Sequence, residues 1–117
     1  SDVIEHISHL KVRSVLKMWI SVLKSGGLLY IKTPDIEKQI ECVQNNTWNS
    51  AVLSNMIFGG QDSDGNYHKC AFKRQELINL LVEYGMDVQP IKFEHFRLTA
   101  DIKHSANANM IVVSKKI

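Results

Sequence analysis

Between Val12 and Pro34 the chain runs from a helical pattern through a glycine pair into an apolar strand pattern. Val12, Val15, Leu16, Trp19, Ile20 and Leu23 fall at i, i+3, i+4, i+7, i+8 and i+11, one apolar stripe along a helix. Lys11, Arg13, Lys17 and Lys24 lie off that stripe, and Trp19 on it reads as a core anchor. Ser25-Gly26-Gly27 breaks the period, with the glycine pair read as a left-handed helix cap. Leu28 to Thr33 is then apolar on both parities at first, the pattern of a strand covered on both faces. Pro34, lacking the ladder donor, ends it. Upstream, Ser1-Asp2-Val3-Ile4 reads as the last residues of a strand. Strand, helix, glycine turn and strand together predict an α/β chain on a parallel sheet with crossover helices. Open α/β sheets bind ligands beyond the carboxyl ends of their strands, which places Asp2 to His6 and Thr33 to Asp35 on one rim.

The remaining bounds are broad. A chain of 117 residues is one domain or less, enough for a core but small for an α/β enzyme. Its net charge of +2, with Lys and Arg scattered, gives nucleic-acid binding no support. Cys42 and Cys70 form no Cys-x-x-Cys pair and read as reduced thiols of a cytoplasmic protein. Neither a membrane-spanning apolar run nor a signal-peptide pattern is present. Asn45-Asn46-Thr47 fits a glycosylation sequon that, without such a signal, is taken as chance.

Farther along, Ile36 to Ile57 predicts two helical pieces broken at Asn45-Asn46. Ile36, Ile40 and Val43 make the apolar face of the first, and Trp48, Val52, Leu53, Met56 and Ile57 that of the second. Asn46 or Thr47 is the candidate cap of the second piece, and Asp35 the cap of the first. Phe58 to Asn66 is a glycine-rich polar loop, either a solvated connection or a substrate loop. A helix carrying Leu77, Ile78, Leu80, Leu81 and Tyr84 follows and ends at Gly85. Met86 to Phe93 predicts a strand with a bulge at Pro90, Arg97 to Ala108 a polar hairpin connection, and Met110 to Val113 the last strand.

The wording of two blocks, "DVIEHI…LKMWISVLKSGGLLYIKTPD" and "GNYHKCAFKRQELINLLVEYGMDV", resembles class I S-adenosylmethionine-dependent methyltransferases of the type 11/12 kind. The likeness covers nearly the whole chain in order and corresponds to the carboxyl-terminal portion of that domain. It implies part of a three-layer Rossmann-like sheet. It also implies that the closing strands form an antiparallel hairpin, with the last strand inserted beside Leu28 to Thr33. No glycine trio here has G-x-G-x-x-G spacing, so residues 1–117 are expected to bind S-adenosylmethionine weakly or not at all alone. Lys73 stands where the family often has a Ser or Thr helix cap.

The implied activity is methyl transfer to an oxygen or nitrogen of a small-molecule or glycan-type acceptor. A non-catalytic association module is the alternative. By resemblance, Ser1, Asp2, Val3, Ile4, Glu5 and His6 line the cofactor wall. His6 or His68 is the candidate base, since imidazole titrates near neutral pH. His9, His95 and His104 have no such context. Metal is expected to be absent. In the alternative, Asp2, Glu5 and His6 share a helical face and, with His68, make an oxygen/nitrogen ligand set for Mg²⁺, Mn²⁺ or Zn²⁺. That arrangement is similar to one found in metal-dependent O-methyltransferases, which have Glu at the position of Asp2. If central strands are missing, the Leu28 to Thr33 edge is unpaired, and a homo-oligomer is expected.

Overall fold

The computed structural model describes residues 3–91 and 108–117. In chain order they form a 3₁₀ turn at Ile4–His6, helix α1 (Val12–Ser21), strand β1 (Leu28–Pro34), and helices α2 (Ile36–Gln44) and α3 (Ser50–Phe58). A 3₁₀ turn at Asp64–Asn66, helix α4 (Arg74–Glu83), and strands β2 (Met86–Gln89) and β3 (Asn109–Lys116) complete them. The protein is thus mixed α/β around a small antiparallel sheet.

The sheet order is β1-β3-β2, with β3 antiparallel to both neighbours. Ile31 lies opposite Val112, and Val88 opposite Ser114. Among the described residues every strand pair is therefore antiparallel, where strand–helix–strand grammar predicted parallel pairing. β1 and β2 do run parallel, but β3 is inserted between them, beside Leu28 to Thr33 as the resemblance implied.

Alternation fixes the two faces of the sheet. Leu29, Ile31 and Thr33 share one face with Met110, Val112, Ser114, Met86 and Val88. Leu16 and Ile20 of α1 and Leu77, Leu80 and Leu81 of α4 join Ile31, Met86, Met110 and Val112 in one buried cluster. These two helices form a single layer on that face. Ile111, Val113 and Lys32 are buried on the opposite face. The described residues do not extend to a full three-layer sheet.

Several local expectations need correction. Val3 and Ile4 are not a strand end: His6 N–H donates to the Val3 carbonyl at 3.0 Å and Ile7 N–H to the Ile4 carbonyl at 3.2 Å, closing a 3₁₀ turn. Gly26 does not cap α1, which ends at Ser21. It sits at φ +83° in the turn into β1, and its N–H donates to the Lys116 carbonyl at 2.7 Å. The end of α1 is held instead by the Lys116 ammonium, which donates to the carbonyls of Ile20 at 2.9 Å and Leu23 at 2.8 Å. Asn49, rather than Asn46 or Thr47, caps α3, accepting from Val52 N–H at 2.9 Å. Asn46, at φ +56°, instead lies in the break between the two helices. On α2 the buried residue is Gln39, whose amide donates to the Met56 carbonyl at 3.0 Å, while Ile40 and Val43 are exposed.

Other readings hold. Asp35 caps α2 by accepting from Glu37 N–H at 3.1 Å, and Gly85 takes φ +84° after α4. Lys73 precedes α4 without a side-chain cap. β2 stops at Gln89, before Pro90, so the bulge is not formed within it. Phe93 and, of the expected Arg97 to Ala108 connection, residues 97–107 lie outside the described residues. No helix among the described residues is long and apolar enough to cross a membrane.

Candidate functional site

The 3₁₀ turn before α1 and the segment before α4 meet beyond the carboxyl end of β1. Backbone bonds make the junction. The Glu5 carbonyl accepts from Lys69 N–H at 2.7 Å and Cys70 N–H at 3.3 Å, and the Cys70 thiol donates to the Ile4 carbonyl at 3.2 Å. Phe72 forms a parallel bridge with Asp35, directly after β1. Chain segments more than sixty residues apart are thus stitched onto one rim.

A second closure sets His68. Gly59 pairs with Tyr67 across the polar loop, and His68 N–H donates to the Phe58 carbonyl at 2.9 Å. Gly59 adopts φ +90°, and a Cβ there would run into the Asn66 carbonyl oxygen, so glycine alone fits. Within the loop the Asn66 amide donates to the Asp62 carboxylate.

Glu5, His6 and His68 converge at the junction. Their nearest ligand-type atoms lie within 4.8 Å of one another. Glu5 is buried, 3% exposed, and His6 and His68 are half-buried. The Thr33 hydroxyl, at the end of β1, donates to Glu5 Oε2 at 3.1 Å. His6 Nδ1 lies 2.9 Å from the Tyr67 carbonyl. A carbonyl only accepts, so Nδ1 carries the proton in this contact and the lone pair of a neutral ring resides on Nε2. That Nε2 lies 3.8 Å from Glu5 Oε1. The two imidazole rings meet edge to face, centroids 4.9 Å apart.

Cys70 borders the cluster. Burial first, and then the neighbouring Glu5 charge, push its thiol from 9.0 up to about 11. The protonated thiol is therefore the favoured form at physiological pH.

Of the residues singled out from the sequence, Glu5, His6 and His68 are brought together. Val3 is an exposed turn residue and Ile4 is buried in the core. Ser1 and Asp2 lie outside the described residues, as do His95 and His104. His9 is exposed. Thr33 and the Tyr67 carbonyl are the contributors that sequence reasoning missed. Placement of Thr33 on the ligand-side rim was the one signal for it. An apolar pocket of about 190 Å³ opens nearby along β1, lined by Val3, Ile4, Trp19, Leu29, Tyr30 and Ile31. No protein-family model matches the chain, and no curated protein matches it.

Proposed function

We propose that the chain is part of an S-adenosylmethionine-dependent methyltransferase, with Glu5, His6 and His68 on the wall where the methyl group is passed to an oxygen or nitrogen acceptor. The observation that carries this reading is the meeting of Glu5-His6 with His68 beyond the carboxyl end of β1, the ligand side of an α/β sheet. The strand order β1-β3-β2, with the last strand antiparallel between two that run alike, adds support. So do the sequence blocks that resemble class I methyltransferases.

S-adenosylmethionine, when bound, supplies an electrophilic methyl carbon on a sulfonium. The chain's own part is to orient the acceptor and to take its proton. Positioning carries most of the rate in such a displacement, and a base adds to it. His68, half-buried on the rim, and His6, with its free Nε2, are the two groups able to receive that proton. A small-molecule or glycan-type acceptor fits this role.

The test is transfer of labelled methyl from S-adenosylmethionine by the full natural chain across a panel of hydroxyl and amine acceptors. Transfer that falls by about 10²-fold or more in His68→Ala supports the reading, on the usual scale of base removal. Absence of both cofactor binding and transfer in the full chain overturns it.

A second reading adds a divalent cation. The 3.8 Å between Glu5 Oε1 and His6 Nε2 is too long for a hydrogen bond. It does suit two donors each about 2.0–2.2 Å from a shared ion. Two imidazoles and a carboxylate are a donor set for a zinc-type metal with an open position, so the residues fit. The ion would supply Lewis acidity toward an acceptor oxygen. Metal analysis of the full chain, with transfer measured before and after chelation, decides it. Undiminished transfer after complete removal eliminates the cation and leaves His68 as base.

A further inference from the structure

We infer that Thr33 is a positioning residue of this site, holding the Glu5 carboxylate so that one oxygen is committed to β1 and the other is turned toward His6. The assignment rests on the proposed reading of Glu5, His6 and His68 as the functional cluster.

Strand alternation aims the Thr33 side chain into the core face of the sheet, among Ile31, Met110 and Val112. Thr33 is fully buried there. A hydroxyl in such surroundings is unfavourable relative to valine of the same shape unless it finds a partner. Its partner is Glu5 Oε2, at 3.1 Å, contributed by a turn 28 residues away in sequence.

The consequence is a division of labour within one carboxylate. Oε2 is occupied by Thr33, and Oε1 faces His6 Nε2 at 3.8 Å. His6 is fixed from the opposite side by the Tyr67 carbonyl at 2.9 Å. That carbonyl is itself held by the Gly59–Tyr67 bridge. The carboxylate and the imidazole are therefore each anchored on a different element, with Glu5 Oε1 and His6 Nε2 facing one another. Hydrogen-bonded outer partners of this kind set the orientation of a functional carboxylate or imidazole. Without the hydroxyl, the carboxylate loses a donor from β1 that fixes the direction of Oε2.

The experiment reads the imidazole directly and needs no substrate. Long-range ¹⁵N–¹H spectra of the histidine-labelled full chain are compared for wild type, Thr33→Val, Thr33→Ser and Glu5→Gln at one neutral pH. Glu5→Gln gives the full response of His6 Nε2 to loss of the carboxylate. Thr33→Val is expected to shift the Nε2 resonance in the same direction, and Thr33→Ser to restore the wild-type value. The exposed His9 stays fixed throughout. Wild-type His6 shifts in Thr33→Val alongside a clear response to Glu5→Gln overturn the assignment. So does a His6 that ignores Glu5→Gln, because no oriented pair then exists. Should Thr33→Val fail to fold, the wild-type protein decides: a Thr33 hydroxyl proton with a cross-peak to the Glu5 side chain supports the assignment, and its absence sinks it. Methyl transfer is read separately, so a failed spectrum with intact transfer overturns Thr33 alone.

Discussion

Glu5 is a buried carboxylate whose neighbours include a hydroxyl, an imidazole and a thiol, and the thiol shows what its charge does. Cys70 is pushed up to about 11 by burial and by Glu5, so its protonated form is favoured in the fold. Alkylation by iodoacetamide requires the thiolate. Cys70 should therefore react slowly at pH 8 and accelerate as pH approaches 11, as followed by peptide mass spectrometry. The linkage has a definite sign. A folded value above the unfolded 9.0 contributes stability that is complete below pH 9 and disappears as pH rises through about 11. Rapid alkylation of Cys70 in the folded protein at pH 8 would contradict this.

At the scale of single elements, helix ends are where stability can be changed without touching the site. Lys73 begins α4 in an extended conformation with no side-chain cap. Lys73→Ser is expected to stabilise the protein by about 1 kcal/mol, the usual value of a good N-cap, measured by urea denaturation. Lys116 acts at the opposite kind of end. Its ammonium satisfies two carbonyls after α1, so Lys116→Met should cost about 1–2 kcal/mol. An unchanged midpoint in either variant would show that these ends are already satisfied by solvent.

These same elements show what the sequence could and could not reveal. The α1 stripe, the α2–α3 break, the Asp35 cap and the Gly85 turn are local, and period or cap chemistry specifies each. The Lys116 cap joins residues 93 and 96 positions apart, and nothing near α1 announces it. Ile40 and Val43 looked like a core face because periodicity records apolarity, whereas Gln39 won the buried position through its bond to Met56. At the site, Glu5-His6 and His68 were visible as residue types. Their junction depends on backbone pairing between distant segments, and so did the role of Thr33.

For the whole molecule, β1 pairs with β3 on one side and with no other strand among the described residues. An apolar pocket opens along β1, and Val3, Met18, Val22 and Leu28 are exposed. Open strand edges and apolar patches together promote association. We propose that this chain assembles with itself at high concentration. Light scattering should give a mass above the monomer's 13.3 kDa, and a concentration-independent monomer would refute it.

The central place of β3 has a consequence for the order in which the protein can be built. Among the described residues both ladders of the sheet run through Asn109–Lys116, so within them β1 and β2, though made earlier, are joined only when that segment leaves the ribosome. Closing β1 onto β3 spans some eighty residues, the kind of distant pairing that slows folding. Up to that moment the edges of β1 and β2 that face β3 are bare, and such edges are where aggregation begins. The three-stranded sheet of the described residues is therefore completed late in synthesis. A nascent chain stalled before Asn109 should leave β1 and β2 more sensitive to protease than the finished chain, however much helix it has already formed.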